Sequence, residues 1–341
     1  MIRSPLLGKR EKAAALLARG GLLKLLEMVR WGAGSLAVLA YHSVRDIVVS
    51  DYPFDEETVS ASCQQFDLQM NFVKSNFDVI TFKDVMEYRE GKIPLPKRPL
   101  IITFDDGFAD NYQNAFPILR RYRLPATIFL VSGLIGTDEI FWWERVVYWL
   151  KHAENFFEIW SQLGHPLPSQ MDKTQKFVLR YLKDVEDKER LYILMEMEKK
   201  FPVSKTDALF SLMRPLRWDE IAEMSQKGIE FGSHTVTHPL LSKVSEEKLL
   251  FELQASKNEI ETRIGKEVLA LAYPVGGPPD YNESVISVAK QVGYAFGLTY
   301  SPVGVNSRSI DDWYRMRRIS IERDYSFNRF RSYLFLPALF L

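Results

Sequence analysis

Short apolar segments alternate with amphipathic helical segments along most of this 341-residue chain. Several of the apolar segments are nearly continuous, as expected for strands that are buried on both faces of a parallel sheet. The predicted strands are Ser35–Tyr41, Val79–Thr81, Leu100–Phe104, Ala126–Val131, Ile229–Gly232, Val268–Ala272, Tyr294–Leu298 and Arg318–Ile321. Such a series of strand–helix repeats predicts an α/β barrel of the TIM type or a close relative of it.

The segments between the strands have the periodicity of helices that bury one face. At the start of one of them, Ser245 is a suitable N-cap, and Glu246 and Glu247 suit the positive end of the helix dipole. The predicted helices are Ser60–Asn76, Phe82–Glu90, Ala109–Arg121, Trp218–Lys227, Ser245–Ile264 and Asn282–Gln291.

The strand–helix alternation breaks once, at about residues 137–215, which begin with an aromatic block and continue as a charged helical stretch. We therefore predict a helical insertion within a barrel that spans residues 35–330. The aromatic side chains are interpreted either as the core that docks the insertion or as a surface that stacks on sugar rings. Residues 1–34 are predicted to form an N-terminal helical segment, and residues 331–341 to form an apolar tail.

The charges of the chain balance, with 44 Lys and Arg against 44 Asp and Glu, which argues against nucleic acid as a partner. Residues 1–30 are locally basic, and their leucines recur at helical spacing. They are interpreted as a helix packed on the barrel or as one in contact with an anionic membrane surface. Neither a signal peptide nor a membrane-spanning segment is evident, which predicts a cytoplasmic location, with peripheral membrane association as an open alternative.

Two adjacent carboxylates directly follow the predicted strand at residues 100–104. Asp105 and Asp106 precede Gly107, at the end of a barrel strand, where catalytic groups are found. A turn at Gly107 would let both carboxylates face one site, and their like charges would separate their proton affinities, so that one can be a ligand and the other a base. The alternative interpretation is a turn that caps the following helix.

Two histidines follow another short apolar strand. His234 and His238 are four residues apart, a spacing that can place both imidazoles on one side of a loop or helical turn. With one carboxylate they would form a site that leaves positions open for water and substrate, which is typical of catalytic metal sites. Because Cys63 is the single cysteine, any metal must be bound by histidines and carboxylates.

The segments Thr-Phe-Asp-Asp-Gly at Thr103–Gly107 and Ser-His-Thr-Val-Thr-His-Pro at Ser233–Pro239 resemble two motifs of a known family. They are similar to the first two signature motifs of the NodB-like polysaccharide deacetylases, carbohydrate esterase family four. The resemblance extends from Leu39–Val44 to Gly293–Tyr294 and covers most of the chain outside the predicted insertion. It implies a distorted (β/α)7 barrel.

The same resemblance implies roles for the acidic and histidine residues. Asp106, His234 and His238 would hold a divalent metal, most often zinc, with cobalt or nickel as alternatives, and Asp105 would be the catalytic base. These roles agree with general chemistry, because a divalent ion polarises an amide carbonyl and activates water, and a nearby carboxylate can accept the proton of that water.

A third motif is identified by resemblance at Ala272–Gly276. The backbone N–H of Val275 in this motif is the candidate donor to the oxyanion that forms during amide hydrolysis. Tyr273 is a candidate for lining the pocket. His42, at the end of the first predicted strand, is interpreted either as a second pocket residue or as a structural hydrogen-bonding histidine.

The chain departs from the family pattern at two positions. Ala272 stands where many members have an arginine that orients the base, and no histidine follows His238 to act as the general acid. These departures support the hypothesis of an inactive glycan-binding protein, whereas the complete set of ligands and base argues against it.

Taken together, the motifs predict a metal-dependent hydrolase that removes N-acetyl groups from N-acetylhexosamine residues of a glycan or a lipid-linked saccharide, as in exopolysaccharide or cell-envelope biosynthesis. A deformylase or esterase acting on a related sugar would use the same metal chemistry and is a second hypothesis.

Overall fold

The computed structural model describes residues 5–24, 35–168, 174–202, 213–300, 304, 306–307 and 312–336. Several sequence-based expectations therefore lie partly outside the described residues. They are the two ends of the N-terminal segment, the last residues of the apolar tail, and two stretches of the predicted insertion.

Each predicted strand overlaps a described strand, and three short described strands are additional. The additional strands β2, β3 and β10 comprise two or three residues each. The strands are β1 (Ser35–Tyr41), β2 (Ser43–Val44), β3 (Val59–Ala61), β4 (Asp78–Val79), β5 (Pro99–Phe104), β6 (Ala126–Leu130), β7 (Ile229–Ser233), β8 (Ala270–Ala272), β9 (Phe296–Leu298), β10 (Asn306–Ser307) and β11 (Ile319–Ser320).

Helices follow most of these strands, and four of the described helices fall within the predicted insertion. The helices are α1 (Pro5–Arg19), α2 (Cys63–Asn76), α3 (Phe82–Arg89), α4 (Phe116–Tyr122), α5 (Trp142–His152), α6 (Phe156–Gln162), α7 (Thr174–Asp184), α8 (Asp187–Lys200), α9 (Trp218–Gln226), α10 (Glu246–Ile264), α11 (Glu283–Val292) and α12 (Phe327–Phe335). Ser245 caps α10 as expected, because its hydroxyl accepts a hydrogen bond from the Lys248 N–H.

Parallel pairing joins β1, β5, β6, β7, β8 and β9 in that spatial order. At the other edge, β11 runs parallel to β1, with Leu39 opposite Ile319. Just before β11, Met316 forms a parallel bridge with Leu298 of β9, so the last segment contacts both ends of the sheet. Seven parallel strands thus surround the core, and the short β4 adds a parallel pairing with β5. This arrangement confirms the predicted distorted (β/α)7 barrel.

Two predicted helix starts are wrong. The helix expected from Ala109 begins with a π-helical turn at Asn111–Ala115, which leads into α4. The helix expected from Ser60 begins instead at Cys63, because residues 59–61 pair with β2 as strand β3. Ser62 then caps α2 in a reciprocal arrangement. Its hydroxyl accepts from the Gln65 N–H at 3.1 Å, and its own N–H donates to the Gln65 side chain at 2.9 Å.

The aromatic block of the predicted insertion is largely buried. The indole N–H of Trp149 donates to the Phe201 carbonyl at 2.9 Å, and that of Trp160 donates to the Pro166 carbonyl at 2.8 Å. Both rings belong to one apolar cluster that joins α5, α6, α7 and α8. These contacts favour a docking core over a sugar-stacking surface for this part of the block.

The N-terminal helix α1 contacts the C-terminal helix α12. Ala14 is buried at this contact, and the Glu11 carboxylate accepts a hydrogen bond from the Ser326 N–H at 3.2 Å. Leu16 is 73% exposed. None of the described helices combines the length and the apolar composition that crossing a membrane requires.

Candidate metal centre and active site

The acid pair lies at the carboxyl end of β5. The Asp105 N–H donates to the Tyr41 carbonyl at 2.9 Å, which continues the pairing of β5 with β1. The chain then turns sharply, because Asp106 and Gly107 both have positive φ, 72° and 76°. Glycine is favoured at position 107, because a side chain there would be strained at this φ and would crowd the end of the Leu130 side chain. This turn lets the two neighbouring carboxylates serve one site.

The histidine pair lies at the end of β7, on a loop rather than a helix. Thr235 and His238 have positive φ, 70° and 55°, and the His238 N–H donates to the Thr235 hydroxyl at 3.0 Å. The Glu252 carboxylate on α10 accepts hydrogen bonds from the backbone N–H groups of Val236 and Thr237 at 2.8 and 2.9 Å. Strained backbone of this kind persists where surrounding contacts fix it, and it is common at functional sites.

Asp106, His234 and His238 form a buried cluster whose potential ligand atoms all lie within 4.8 Å of one another. The Asp106 Oδ1 atom lies 3.5 Å from His234 Nε2 and 3.6 Å from His238 Nε2. Zinc bonds of ~2.0–2.1 Å in a tetrahedron place neighbouring ligand atoms ~3.4 Å apart, so this donor set fits such an ion.

The protonation of these residues also suits a cation. His234 Nδ1 lies 2.8 Å from the Ala272 carbonyl, which as acceptor leaves Nε2 free to bind a metal. Burial, and next the neighbouring His234, keep the pKa of His238 well below its ordinary value, so the imidazole is neutral. Burial, and next the charge of Asp105, raise the pKa of Asp106 well above its ordinary value. A bound cation would allow both adjacent carboxylates to remain ionised.

Asp105 is paired with Arg318, a residue that sequence reasoning missed as part of the site. Nη1 and Nη2 of the guanidinium donate to the two carboxylate oxygens at 2.6 and 2.8 Å. Arg318 is fully buried. Burial acts to raise the pKa of Asp105, but Arg318 and then His234 outweigh it and lower the pKa to about 2. Asp105 is therefore ionised at neutral pH. The absence of an arginine at Ala272 was the available sign that another cation must orient the base.

His42 also lies at the site. Its Nε2 atom is 4.0 Å from Asp105 Oδ2, and its ring is 5.4 Å from that of Tyr300. The backbone N–H of His42 donates to the Ser60 hydroxyl at 2.9 Å, which fixes the end of β1. Burial lowers the pKa of His42 to about 4, against the opposing effect of Asp105, so the imidazole is neutral at neutral pH.

The third motif forms a tight turn after β8. Val275 and Gly276 have positive φ, 62° and 69°, and the Gly276 N–H donates to the Pro274 carbonyl at 2.7 Å. Among the described residues, no acceptor takes a hydrogen bond from the Val275 N–H. Tyr273 is directed elsewhere: its hydroxyl donates to the Tyr314 carbonyl at 2.9 Å, and its ring stacks on Tyr281 at 4.7 Å. The structure thus places His42, and not the Tyr273 hydroxyl, beside the base.

A buried Asp–His–His cluster beside an ionised carboxylate, at the carboxyl ends of barrel strands, is typical of hydrolases that use a metal-activated water. Comparison with known proteins agrees with this class. The family model described as polysaccharide deacetylase matches residues 92–297, which is more than half of the chain. The chain belongs to the polysaccharide deacetylase family, whose members are hydrolases that act on carbon–nitrogen amide bonds.

Named relatives support this assignment. YxkH of Bacillus subtilis (strain 168), a protein whose name refers to polysaccharide deacetylases, is 23% identical over 301 residues, or 88% of this chain and 76% of the relative. Poly-β-1,6-N-acetyl-D-glucosamine N-deacetylases of Staphylococcus aureus are 32% identical over 118 residues, or 32% of this chain and 40% of theirs. The match to these enzymes thus spans less than half of their length.

Solved structures share the fold. The deacetylase PplD of Streptococcus pyogenes, in complex with acetate, has a TM-score of 0.59 at 20% identity, covering 88% of this chain and 98% of that one. A de-N-acetylase from Aggregatibacter actinomycetemcomitans has a TM-score of 0.58 at 21% identity, covering 88% and 99%. His42 precedes the segment matched by the family model and Arg318 follows it, so that match covers neither residue. The structure places both at the site, as expected for His42 and unexpectedly for Arg318.

Proposed function

We propose that this protein is a metal-dependent N-deacetylase that acts on N-acetylhexosamine residues of a glycan or a lipid-linked saccharide. The observation that carries the proposal is the Asp106–His234–His238 cluster beside the ionised Asp105. The names of the Staphylococcus aureus relatives, which specify poly-β-1,6-N-acetyl-D-glucosamine, support this class of substrate.

Asp106, His234 and His238 would hold the metal, with zinc as the first choice and cobalt or nickel as alternatives. When bound, such an ion supplies Lewis acidity that polarises the acetamide carbonyl and lowers the pKa of water toward ~7. The remaining chemistry belongs to the protein. Because Asp105 is ionised and held at two points by Arg318, it can accept the proton of the attacking water. The Val275 N–H is our candidate donor to the oxyanion.

Breakdown of the tetrahedral intermediate requires a proton for the leaving amine nitrogen. Asp105 holds a proton after water attack and can deliver it to that nitrogen. His42 lies 4.0 Å from Asp105 and can line the pocket or share in this transfer. This arrangement supplies a route for the proton in a chain that has no histidine after His238.

The first test is the metal content of the purified protein, which needs no knowledge of the substrate. We expect about one zinc or similar ion per intact chain, since the cluster offers one set of ligands. His238→Ala should lose the metal, whereas Asp105→Asn should keep it and lose turnover, because it removes a base and not a ligand. His152→Ala, on α5, is the matched control and should retain both metal and turnover.

Acetate release from acetylated oligosaccharides is the second readout. No metal after incubation with zinc, cobalt or nickel would argue for the inactive glycan-binding protein. Near-normal turnover by Asp105→Asn would refute the proposed base. Release of formate or cleavage of an ester, without acetate from amides, would favour the second hypothesis.

We further propose that the N-terminal segment can contact a membrane surface peripherally. Leu16 and Leu22 are 73% and 44% exposed on a segment that is locally basic. The double change Leu16→Gln and Leu22→Gln should abolish binding to vesicles that contain anionic lipid. If the unaltered protein does not bind such vesicles, this part of the proposal fails.

A further inference from the structure

The two histidines of the proposed metal centre differ in how their rings are held. Nδ1 of His234 lies 2.8 Å from the Ala272 carbonyl, and this contact orients the ring. Nδ1 of His238 is buried, and no other residue in the described part of the chain forms a hydrogen bond with it. The His238 ring packs instead on the ring of Trp143, with the ring centroids 4.4 Å apart. The position of the His238 imidazole therefore depends mainly on the backbone that carries it.

That backbone is the histidine loop, residues 234–238, and two of its residues lie in the left-handed region. The φ angles are 70° at Thr235 and 55° at His238. This region is unfavourable for a β-branched residue such as threonine. Such a conformation persists only where the surrounding contacts stabilise it. The contacts of the histidine loop therefore decide where the His238 ring lies.

The loop after β6 stabilises the histidine loop through its carbonyl groups. The carbonyls of Thr235 and Val236 accept hydrogen bonds from the N–H groups of Ser132 and Gly133, both at 3.0 Å. A Cβ at Gly133 would lie 2.7 Å from the Val236 carbonyl oxygen, so the two loops are in close contact. With these carbonyls paired, the buried N–H groups of the histidine loop need acceptors from another element.

Glu252 on α10 supplies the acceptors for two of these N–H groups. Its Oε2 atom accepts from the N–H groups of Val236 and Thr237 at 2.8 and 2.9 Å, and its Oε1 atom accepts from the Thr237 hydroxyl. Glu252 is fully buried, so bulk water does not compete for these bonds. Helix α10 is itself joined to the end of β7, because the hydroxyls of Ser233 and Ser256 are hydrogen-bonded at 2.8 Å. The carboxylate therefore ties the histidine loop to a fixed helix.

We infer that Glu252 is a positioning residue for the proposed metal ligand His238. It holds the histidine loop in the conformation that presents the His238 imidazole beside Asp106 and His234. Glu252 acts through the loop and is not itself a member of the ligand cluster. The inference rests on the proposed function, because it assumes that a metal binds at this cluster.

The affinity of the purified full chain for zinc tests this role and is measured by competition with a chromophoric chelator. Glu252→Met keeps a long, unbranched side chain but leaves two buried N–H groups without an acceptor. It should raise the Kd for zinc tenfold or more, as loss of the partners that orient metal ligands usually does. Glu252→Gln keeps an oxygen that can accept both backbone bonds, so its Kd should stay close to that of the wild type. The visible absorption spectrum of the cobalt-loaded protein, which reports the ligand geometry, should change only in Glu252→Met.

Glu261→Met, on the same helix, is the matched control. Glu261 accepts from the Val268 N–H at 2.9 Å, before the start of β8 and thus at the opposite end of that strand from the site. This change should lower the free energy of unfolding in urea and leave the Kd for zinc unchanged. Thr237→Val removes only the hydroxyl bond to Glu252 and provides the test if Glu252→Met does not fold. It should raise the Kd for zinc about fivefold, the usual effect of one hydrogen bond.

A Kd for zinc in Glu252→Met equal to that of the wild type would overturn the inference. The same result in Thr237→Val would overturn it if Glu252→Met does not fold. An equal loss of affinity in Glu261→Met would also overturn it, because the effect would then follow from stability alone. A wild-type chain that binds neither zinc nor cobalt would reject the proposed function together with the inference. Metal binding that depends on Glu252, without acetate release, would keep the inference and reject the deacetylase.

Discussion

Arg318 and Asp105 form a buried, two-point ion pair between the last strand segment of the barrel and the end of β5, with N–O distances of 2.6 and 2.8 Å. The guanidinium is also fixed by a hydrogen bond from Nε to the Thr299 carbonyl at 3.0 Å. Its planar shape allows it to hold both oxygens at once, which a lysine cannot do. The orientation and the ionisation of the proposed base therefore depend on a residue 213 positions away in sequence.

Replacement of Arg318 should make turnover dependent on pH. In Arg318→Gln, burial acts on Asp105 without its main counter-charge, so the pKa of Asp105 rises above its value of about 2. A base must be ionised to act, so kcat/KM should fall about tenfold or more, and further at about pH 5.5 than at about pH 8. The pH profile of kcat/KM measures this effect.

Arg329→Lys is the matched control, because Arg329 is another buried arginine, on α12 and bonded to Tyr333. Arg329→Lys should lower the free energy of unfolding without shifting the acid limb of the pH profile of kcat/KM. An Arg318→Gln profile that is parallel to the wild-type profile would contradict the role of Arg318.

Much of the site could be predicted from the sequence, because its residues lie directly after strands that the apolar segments predict. Tyr41 pairs with Phe104 in the barrel, so His42 and Asp105, the next residue of each strand, are neighbours. That relationship could be predicted once β1 and β5 were taken as adjacent strands. Arg318 could not be placed in this way, because β11 pairs with β1 over only two residues and its register leaves no pattern in sequence. The positive φ of Val275 was also hidden, because β-branched residues do not favour that conformation.

Glu144 is a buried carboxyl group that should make stability decrease as pH rises. Burial, and next the charge of Asp55, raise the pKa of Glu144 to about 8 from an ordinary value of 4.5. Between these two values the folded state holds a proton that the unfolded chain releases, so the free energy of unfolding falls as pH increases. Asp55 acts in the same direction, since burial raises its pKa to about 6.

Glu144→Gln should remove this dependence. An amide can copy the protonated acid, because Glu144 accepts from the Asp55 N–H at 2.8 Å and meets the Thr58 hydroxyl at 2.9 Å. Relative to wild type, the variant should gain about 1 kcal/mol or more at pH 8 and little at pH 5 in urea unfolding. Glu259→Gln, a change of a partly exposed carboxylate on α10, should show no such difference. A constant gain at both pH values would disprove the explanation.

Val275 holds a left-handed backbone conformation that a β-branched residue adopts only at a cost of ~1–2 kcal/mol. Val275→Gly should remove this strain, offset in part by the greater freedom of glycine in the unfolded chain. We expect the free energy of unfolding to stay equal or rise by up to about 1 kcal/mol. Val285→Gly in α11, where the valine is fully buried, should be strongly destabilising. A large loss in Val275→Gly would show that the side chain stabilises the turn.

Trp142 and Trp149, both on α5, allow a buried indole donor without an acceptor to be compared with one that has an acceptor. Both indoles are more than nine-tenths buried, but Trp149 donates to Phe201, whereas the Trp142 donor has no acceptor among the described residues. Phe in place of Trp149 leaves the Phe201 carbonyl without its donor, which costs about 1–3 kcal/mol. Phe in place of Trp142 removes a donor that is already unsatisfied, so most of its cost is lost packing.

Thermal and urea unfolding of the ligand-free protein should therefore show a larger loss for Trp149→Phe than for Trp142→Phe. The difference between the two losses should be about 1–3 kcal/mol, the cost of leaving the Phe201 carbonyl without its donor. Equal losses for the two variants would show that the hydrogen bond from Trp149 to Phe201 adds nothing beyond packing.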